Sequence, residues 1–122
     1  MWLVGADSFT GHYLRSALGR DGYRIDVTPV DITNGAAVKS VVAEIQPQYI
    51  INLAAISFVP DGGDATIYAV NSFGPQHILE ASLSLKVPPK RIILASSANV
   101  YGSQTEEVID EGCHANPINL SM

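Results

Sequence analysis

Three short apolar runs are spaced along this chain, and none of them alternates polar with apolar residues. They are residues 2–4 (WLV), residues 49–55 (YIINLAA) and residues 91–95 (RIILA). Strands with this pattern are typically buried on both faces, as in a parallel sheet covered by helices on each side. A fourth run, residues 23–27, contains Arg24 and Asp26 and is more typical of a sheet edge.

Stripes of apolar residues with helical spacing fill the intervals between these runs. The first comprises Phe9, Tyr13, Leu14 and Leu18, the second lies within residues 36–45, and the third comprises Ile67, Val70, Phe73, His77, Ile78 and Ala81. Asn34 is a suitable N-cap for the second helix, and Pro47 follows its end. Because Gly74-Pro75 interrupts the third stripe, we expect a kink or two separate segments there.

Strands that alternate with helices predict right-handed crossovers and therefore an α/β fold with a doubly wound parallel sheet of the Rossmann type. A chain of 122 residues is one domain or part of one. Regular patterning ends after Gly102, and the remaining residues have the composition of a polar loop. Since a doubly wound sheet needs further elements to cover its last strand, we expect this sheet to be incomplete at its C-terminal end.

The turn between the first strand and the first helix reads VGADSFTGHYL, residues 4–14. Gly5 permits a tight turn, and Gly11 lets the helix pack close to the sheet, as in loops that bind dinucleotides. The helix N-terminus then presents free N–H groups and the positive end of its dipole to a pyrophosphate. Ser8 replaces the middle glycine of such loops. Its hydroxyl can donate to a phosphate, but its Cβ narrows the approach.

The predicted strand at residues 23–27, which is second in chain order, leaves the choice between NAD and NADP open. An acidic residue at the end of that strand usually holds the adenosine ribose of NAD. The expected position falls near Thr28 or Pro29, whereas Asp26 is one pleat out of register and faces the other side. No arginine is evident for the 2′-phosphate of NADP.

Motifs along the chain resemble a known family when they are taken together. They are the opening VGADSFTGHYL, then VDITN (30–34), INLAA (51–55), AVNSFGPQHILEA (69–81) and SSANVYG (96–102). Their order and spacing are similar to those of the extended short-chain dehydrogenase/reductase family, which contains sugar-nucleotide epimerases, dehydratases and reductases. Val4 and Ser8 depart from that family's T-G-x-x-G-F-x-G opening.

The resemblance implies a role for residues in each motif. Asp31 would contact the adenine, and residues 51–55 would line the nicotinamide side of the pyrophosphate. Asn71 would support the cofactor loop. The cofactor-binding residues implied for NAD or NADP are Gly5, Ser8, Phe9, Gly11, Asp31, Ile32, Leu53, Ala54, Ala55 and Asn71. Ser97 would be the catalytic residue, whose hydroxyl bonds the reacting hydroxyl or ketone while the nicotinamide takes or gives hydride.

The family's general base is a Tyr-x-x-x-Lys pair, and this pair is not found in residues 1–122. A phenol with a pKa of about 10 needs a nearby cation to act at neutral pH. ANPINLSM, residues 115–122, resembles the segment that precedes the tyrosine. In one register Ser121 stands in place of the tyrosine, and in another the tyrosine would be the next residue after Met122. We therefore expect this polypeptide to be inactive without further sequence.

The two residues after Ser97 bear on the reaction class. Family members that dehydrate the sugar usually carry acids there, because loss of water needs a second acid/base pair. Ala98 and Asn99 cannot transfer a proton, which argues against a 4,6-dehydratase and leaves an epimerase or a 4-keto reductase.

Composition argues against several other functions. The net charge is −5 and the seven Lys and Arg residues do not cluster, so nucleic-acid binding is not expected. Cys113, His12, His77 and His114 lack metal-ligand spacing, so no metal site is expected. The apolar runs are far shorter than the about 20 residues that span a membrane, and there is no secretion signal. A cytoplasmic protein is expected.

The favoured interpretation is that residues 1–122 form the N-terminal dinucleotide-binding portion of an NAD(P)-dependent enzyme acting on a nucleotide sugar. The substrate domain would lie outside this chain, and a homodimer is one arrangement expected for the complete protein. The alternative is a non-catalytic dinucleotide-binding module that senses cofactor or holds a partner. Ser8, the missing ribose acid and the absent Tyr-x-x-x-Lys pair favour this alternative.

Overall fold

A parallel sheet is the centre of the fold in the computed structural model, which describes residues 1–56, 64–103 and 108–117. Within these ranges the sheet has three strands in the order β1-β2-β3, namely Trp2–Val4, Tyr49–Asn52 and Arg91–Leu94. The register aligns Leu3 with Ile51 and Ile51 with Ile93. The predicted α/β class and parallel sheet are confirmed, although β2 and β3 end earlier than the apolar runs that predicted them.

Residues 23–27 contribute a single parallel bridge, between Asp26 and Trp2, instead of the predicted edge strand. The Leu3 N–H donates to the Asp26 carbonyl at 2.9 Å. The run ends there because the Asp26 carboxylate accepts from the Thr28 N–H (2.8 Å) and the Thr28 hydroxyl (2.5 Å), which forms a local turn. The bridge lies on the edge of β1 opposite β2, so the chain visits one side of β1 and then the other. This reversal is a topological switch point.

The helices lie close to where the sequence predicted them. They are α1 (Phe9–Arg20), α2 (Gly35–Ile45), α3 (Asp64–Tyr68), a π-helical segment (Ala69–Phe73), α4 (Gly74–Leu83) and a 3₁₀ turn (Ala98–Tyr101). Asn34 caps α2, since its Oδ1 accepts from the Ala37 N–H at 3.1 Å. The interruption of the third helix lies in the π-helical segment, and Pro75 follows it as the second residue of α4. In the described ranges, no helix is long and apolar enough to cross a membrane.

The hydrophobic core lies between one face of the sheet and helices α2 and α4, which pack on each other. Its buried members are Trp2, Val4, Ile32, Val38, Val42, Ile50, Ile78 and Ala81. The chain passes through α1 to the bridge on one edge of β1, and then through α2 to β2 on the other edge. Because right-handed crossovers that run in opposite directions lie on opposite faces, α1 covers the other face of the sheet.

The predicted apolar stripe of α1 was partly wrong. Gly11 is buried, but the side chains of Phe9 and Tyr13 are 81% and 63% exposed. Their rings contact each other edge to face, with centroids 5.2 Å apart. The helix packs Gly11 against the turn after β1, and the two aromatic rings lie on a different, exposed face. Phe73 in the third stripe is likewise exposed.

The last strand is less buried than its apolar sequence predicted. Across one row of the sheet the exposed fraction rises from 1% at Leu3 to 6% at Ile51 and 51% at Ile93. Helix α1 contacts β1, at the far side of the sheet from β3. The α1 face of β3 is therefore open, as expected for a sheet that further elements would cover.

Candidate functional site

Two cavities lie at the carboxyl ends of the strands. One, of about 240 Å³, adjoins the turn after β1 and residues 27–30. The other, of about 370 Å³, lies between the ends of β2 and β3 and the π-helical segment. Ala54 lines both cavities, so they are neighbours. Because α/β sheets bind ligands outside the carboxyl ends of strands at the switch point, the two cavities together are the candidate site.

The turn after β1 is pressed between α1 and the end of β2, and both of its glycines are required by space. Gly5 has a φ of +79°, and a Cβ there would lie 2.9 Å from the backbone nitrogen of Ala54. A Cβ on Gly11 would overlap the Gly5 carbonyl oxygen and lie 2.8 Å from Cα of Ala6. The tight turn predicted at Gly5 is present in the structure, and Gly11 packs closely, against the backbone of that turn.

The first turn of α1 offers backbone donors to an anion. Among the described residues, the N–H groups of Phe9 and Thr10 have no hydrogen-bond acceptor. The Ser8 hydroxyl caps the helix instead: it accepts from the Gly11 N–H at 3.0 Å and donates to the Gly5 carbonyl at 2.7 Å. Two free N–H groups at the positive end of the helix dipole suit a pyrophosphate. The loop therefore fits a dinucleotide through its backbone, with Ser8 committed to the cap.

The loop at residues 31–34 presents one carboxylate. Oδ1 of Asp31 accepts from the Thr33 N–H (3.0 Å) and the Thr33 hydroxyl (2.6 Å), and these bonds lower the pKa of Asp31 from its ordinary value. Both bonds use Oδ1, so Oδ2 can accept from an amino group such as that of adenine. Ile32 is 4% exposed and its side chain belongs to the core, which leaves only its backbone for a ligand.

Asp26 does not reach the smaller cavity. Thr28 and Pro29 line that cavity, while Asp26 borders a different one at the amino ends of β1 and β2. The hydrogen bonds from the Thr28 hydroxyl and N–H lower the pKa of Asp26 and hold its Oδ1 in the local turn. This agrees with the expectation that Asp26 is out of register for a ribose.

Asn71 joins the π-helical segment to the chain that follows β2. Its Nδ2 donates to the Ile56 carbonyl at 2.7 Å, and its Oδ1 accepts from the Ile56 N–H at 2.9 Å. The pair of bonds fixes the backbone beside Ala54 and Ala55, which line the larger cavity. Such single π-helical turns are frequent at functional sites.

Ser97 follows β3 and lines the larger cavity together with Ser96 and Asn99. It caps the 3₁₀ turn, and its Oγ accepts from the Asn99 N–H at 3.2 Å. Within the described chain, no acceptor takes the Ser97 hydroxyl proton. The hydroxyl is thus held by its oxygen and free to donate to a ligand in the cavity. Of the two residues that follow it, Asn99 lines the cavity and Ala98 does not.

The segment that resembles an approach to the missing tyrosine lies against the same 3₁₀ turn. The Asn116 N–H donates to the Val100 carbonyl at 2.9 Å. Gly102 has a φ of +65°, and a Cβ there would overlap the Asn116 carbonyl oxygen. Residues up to Pro117 are therefore held close to the turn that Ser97 caps. Ser121 lies outside the described residues.

Five of the eleven predicted site residues line the two cavities. Ala54, Ala55, Asn71 and Ser97 line the larger one, and Gly5 lines the smaller one. The other six line neither cavity: Ser8 and Gly11 lie in the turn after β1 and in α1, Asp31 and Ile32 lie in the loop at residues 31–34, and the last two are Phe9 and Leu53. The Phe9 ring points outward, and Leu53 lines neither cavity but donates its N–H to the Val4 carbonyl at 2.9 Å.

Sequence reasoning missed Ile56, which Asn71 holds, and His77, which it treated as a packing or surface residue. Nδ1 of His77 lies 2.8 Å from the Ile32 carbonyl oxygen. The contact joins residues that are 45 positions apart, so no local pattern signals it.

Comparison with known proteins gives a family match over most of the chain. A family model described as GDP-mannose 4,6 dehydratase matches residues 6–120. The GDP-6-deoxy-D-talose 4-dehydrogenase of Aggregatibacter actinomycetemcomitans is 33% identical over 90 residues, which are 74% of this chain and 31% of that protein. This chain spans about 30% of the length of the curated relatives it matches.

Solved structures share the fold. The UDP-glucose 4-epimerase of Brucella ovis in complex with NAD matches with a TM-score of 0.82 and 25% identity, over 97% of this chain and 42% of that one. The dTDP-4-dehydrorhamnose reductase of Bacillus anthracis in complex with NADP matches with a TM-score of 0.59 and 32% identity, over 66% of this chain and 31% of that one. The predicted Rossmann-type fold is confirmed by these matches.

Proposed function

Because this chain belongs to the extended short-chain dehydrogenase/reductase family of sugar-nucleotide enzymes, we propose that it forms the dinucleotide-binding portion of an NAD(P)-dependent epimerase or 4-keto reductase. The observation that carries the proposal is the Ser97 hydroxyl, which faces a cavity with its proton unused among the described residues. That cavity adjoins the glycine loop through Ala54. The substrate would be a nucleotide sugar, and its binding domain would come from sequence outside residues 1–122.

Different residues would contact different parts of a bound dinucleotide. The N–H groups at the start of α1 would hold the pyrophosphate, and Oδ2 of Asp31 would accept from the adenine amino group. Asn71 keeps the backbone at Ile56 in place beside the nicotinamide end. NAD or NADP would supply hydride exchange, while Ser97 donates to the reacting oxygen and polarises it.

We place the reaction among epimerases and 4-keto reductases and not among dehydratases, although the matching family model carries a dehydratase name. Asn99 lines the cavity where a dehydrating enzyme needs an acid, and a carboxamide does not transfer protons at neutral pH. A tyrosine and lysine that follow the segment held at Val100 would provide the general base. The relatives named a 4-dehydrogenase and a 4-dehydrorhamnose reductase support this class.

Three further proposals concern the choice of cofactor, the cellular location and the oligomeric state. Asp26 lies away from the smaller cavity and so does not select against a 2′-phosphate there, and both NAD and NADP are proposed. The solved neighbours include one complex of each kind. We propose a cytoplasmic protein that forms a homodimer when complete, in keeping with its one cysteine and its lack of long apolar runs.

Titration of this chain with NADH and NADPH tests dinucleotide binding. Saturable binding of at least one of them is expected in fluorescence or calorimetry, and flat titrations of both would contradict it. In the complete protein, we expect a Tyr-x-x-x-Lys pair closely after residue 122. That protein should oxidise NAD(P)H in the presence of a nucleotide 4-keto sugar, or convert a nucleotide sugar to its epimer. Binding without any turnover, and without that pair, would instead support the non-catalytic module, which the commitment of Ser8 to its cap favours.

Substitution of Ser8 separates its capping role from contact with a ligand. Ser8→Ala should lower the free energy of unfolding by about 1 kcal/mol, and Ser8→Gly by only a few tenths. Because Ser8→Gly also releases the Gly11 N–H for the pyrophosphate, we expect dinucleotide affinity to rise by roughly tenfold. Urea unfolding and calorimetric titration measure the two effects. Weaker binding by Ser8→Gly would mean that the hydroxyl itself contacts the phosphate.

A further inference from the structure

His77, on α4, contacts the loop that carries Asp31. Its Nδ1 lies 2.8 Å from the carbonyl oxygen of Ile32, and the ring is half-buried. A carbonyl oxygen only accepts hydrogen bonds, so the ring must carry a proton on Nδ1. This fixes the ring's orientation and gives the loop an anchor on α4.

Two glycines bring α4 and the loop into direct contact around this hydrogen bond. A Cβ on Gly74 would overlap Cδ1 of Ile32, so the isoleucine side chain lies directly on the start of α4. A Cβ on Gly35 would lie 3.1 Å from Cδ2 of His77, so the imidazole lies against the first residue of α2. Helix α4 therefore holds the loop at three points. Gly74 packs on the Ile32 side chain, and His77 both bonds the Ile32 carbonyl and lies against the start of α2.

The other hydrogen bonds of this loop are internal. Thr33 donates to Asp31, the Asn34 N–H donates to the Asp31 carbonyl at 3.0 Å, and Asn34 caps α2. These bonds shape the turn but do not fix it relative to α4 and the sheet. In the described part of the chain, His77 supplies the one side-chain hydrogen bond that reaches the loop from another element.

We propose that His77 is a positioning residue that sets the affinity for the adenine end of the dinucleotide. By holding the Ile32 carbonyl, it fixes the position of the neighbouring Asp31 carboxylate, the proposed partner of the adenine amino group. The proposal rests on the proposed dinucleotide function. Asn71, earlier on the same helical run, holds the backbone at the nicotinamide end. One run of helix thus positions both ends of the site.

Three substitutions test this role: alanine removes the donor, and asparagine and glutamine place an amide at different positions. The Nδ2 of an asparagine reproduces the position of the histidine Nδ1, whereas a glutamine amide reaches the position of Nε2. We expect His77→Ala and His77→Gln to weaken NADH or NADPH binding by roughly tenfold, and His77→Asn to stay within about twofold of the wild type. His12→Ala, on the exposed side of α1, is the matched control and should leave binding unchanged.

A second readout needs no dinucleotide. Nitrogen-15 spectra of the His77 ring should show a proton on Nδ1, and amide exchange of Thr33 and Asn34 should be faster in His77→Ala and His77→Gln but not in His77→Asn. A neutral ring protonated only on Nε2, or an asparagine variant as impaired as the alanine one, would overturn the proposal. If the wild type binds neither dinucleotide, the proposed function fails, while the ring spectra and exchange rates still decide whether His77 positions the loop.

Discussion

Gly11→Ala is expected to abolish dinucleotide binding and to lower the free energy of unfolding by about 1–3 kcal/mol. The added methyl group would overlap the Gly5 carbonyl oxygen and crowd the backbone of Ala6. These neighbours are backbone atoms, and Gly5 is itself pressed against Ala54. The clash therefore moves either α1 or the loop, and both movements displace the N–H groups that would face the pyrophosphate.

Gly19→Ala is the matched control for this substitution, because Gly19 lies on the same helix. A Cβ there would meet nothing within 4 Å, so the change should stabilise α1 by about 0.5–1 kcal/mol through helix propensity alone. Urea unfolding and NAD(P)H titration of both variants make the comparison. If Gly11→Ala binds dinucleotide as well as Gly19→Ala does, the close packing of α1 on the loop is not needed for binding.

Ser97→Ala in the complete protein should lower kcat by roughly 10²–10³-fold, the loss typical for one donor to a developing oxyanion. Dinucleotide affinity should change little, because Ser97 lines the larger cavity and not the one beside the glycine loop. Ser97→Thr keeps the hydroxyl and should retain most of the activity. Steady-state kinetics and cofactor titration on the same preparations measure the two effects.

Ser96→Ala controls for the loss of a neighbouring hydroxyl, since Ser96 lines the same cavity and is exposed. Because Ser97 also caps the 3₁₀ turn, the unfolding of each variant must be measured beside its kinetics. An equal loss of kcat and of dinucleotide affinity in Ser97→Ala would show that Ser97 acts only through the local fold.

Features set by neighbours in sequence were predicted well. The positions of Gly5 and Gly11 were clear because a tight turn followed by a close helix has a fixed spacing. The cap at Asn34 was predicted for the same reason: its bond to the Ala37 N–H is local. The placement of Ser97 at the end of β3 followed from the apolar run that precedes it.

Features that depend on distant packing could not be predicted. Phe9 and Tyr13 have helical spacing with Leu14, but the close approach at Gly11 decides which face of α1 is buried. An apolar strand such as β3 does not show whether anything covers it. The contact of His77 with Ile32 joins two motifs that were each interpreted separately.

The position of Asn71 in the site depends on the number of residues in the π-helical segment. A π-helical turn holds about one residue more than an α-helical turn, so the chain before it is rotated by about 100° relative to an uninterrupted α-helix. Deleting one residue within Ala69–Phe73 would remove that rotation and swing Asn71 away from Ile56, while the contacts of α4 with α2 stayed in register. An insertion or deletion in this segment is therefore expected to disturb the site, and alignments that place a gap there would misassign the residue that holds Ile56.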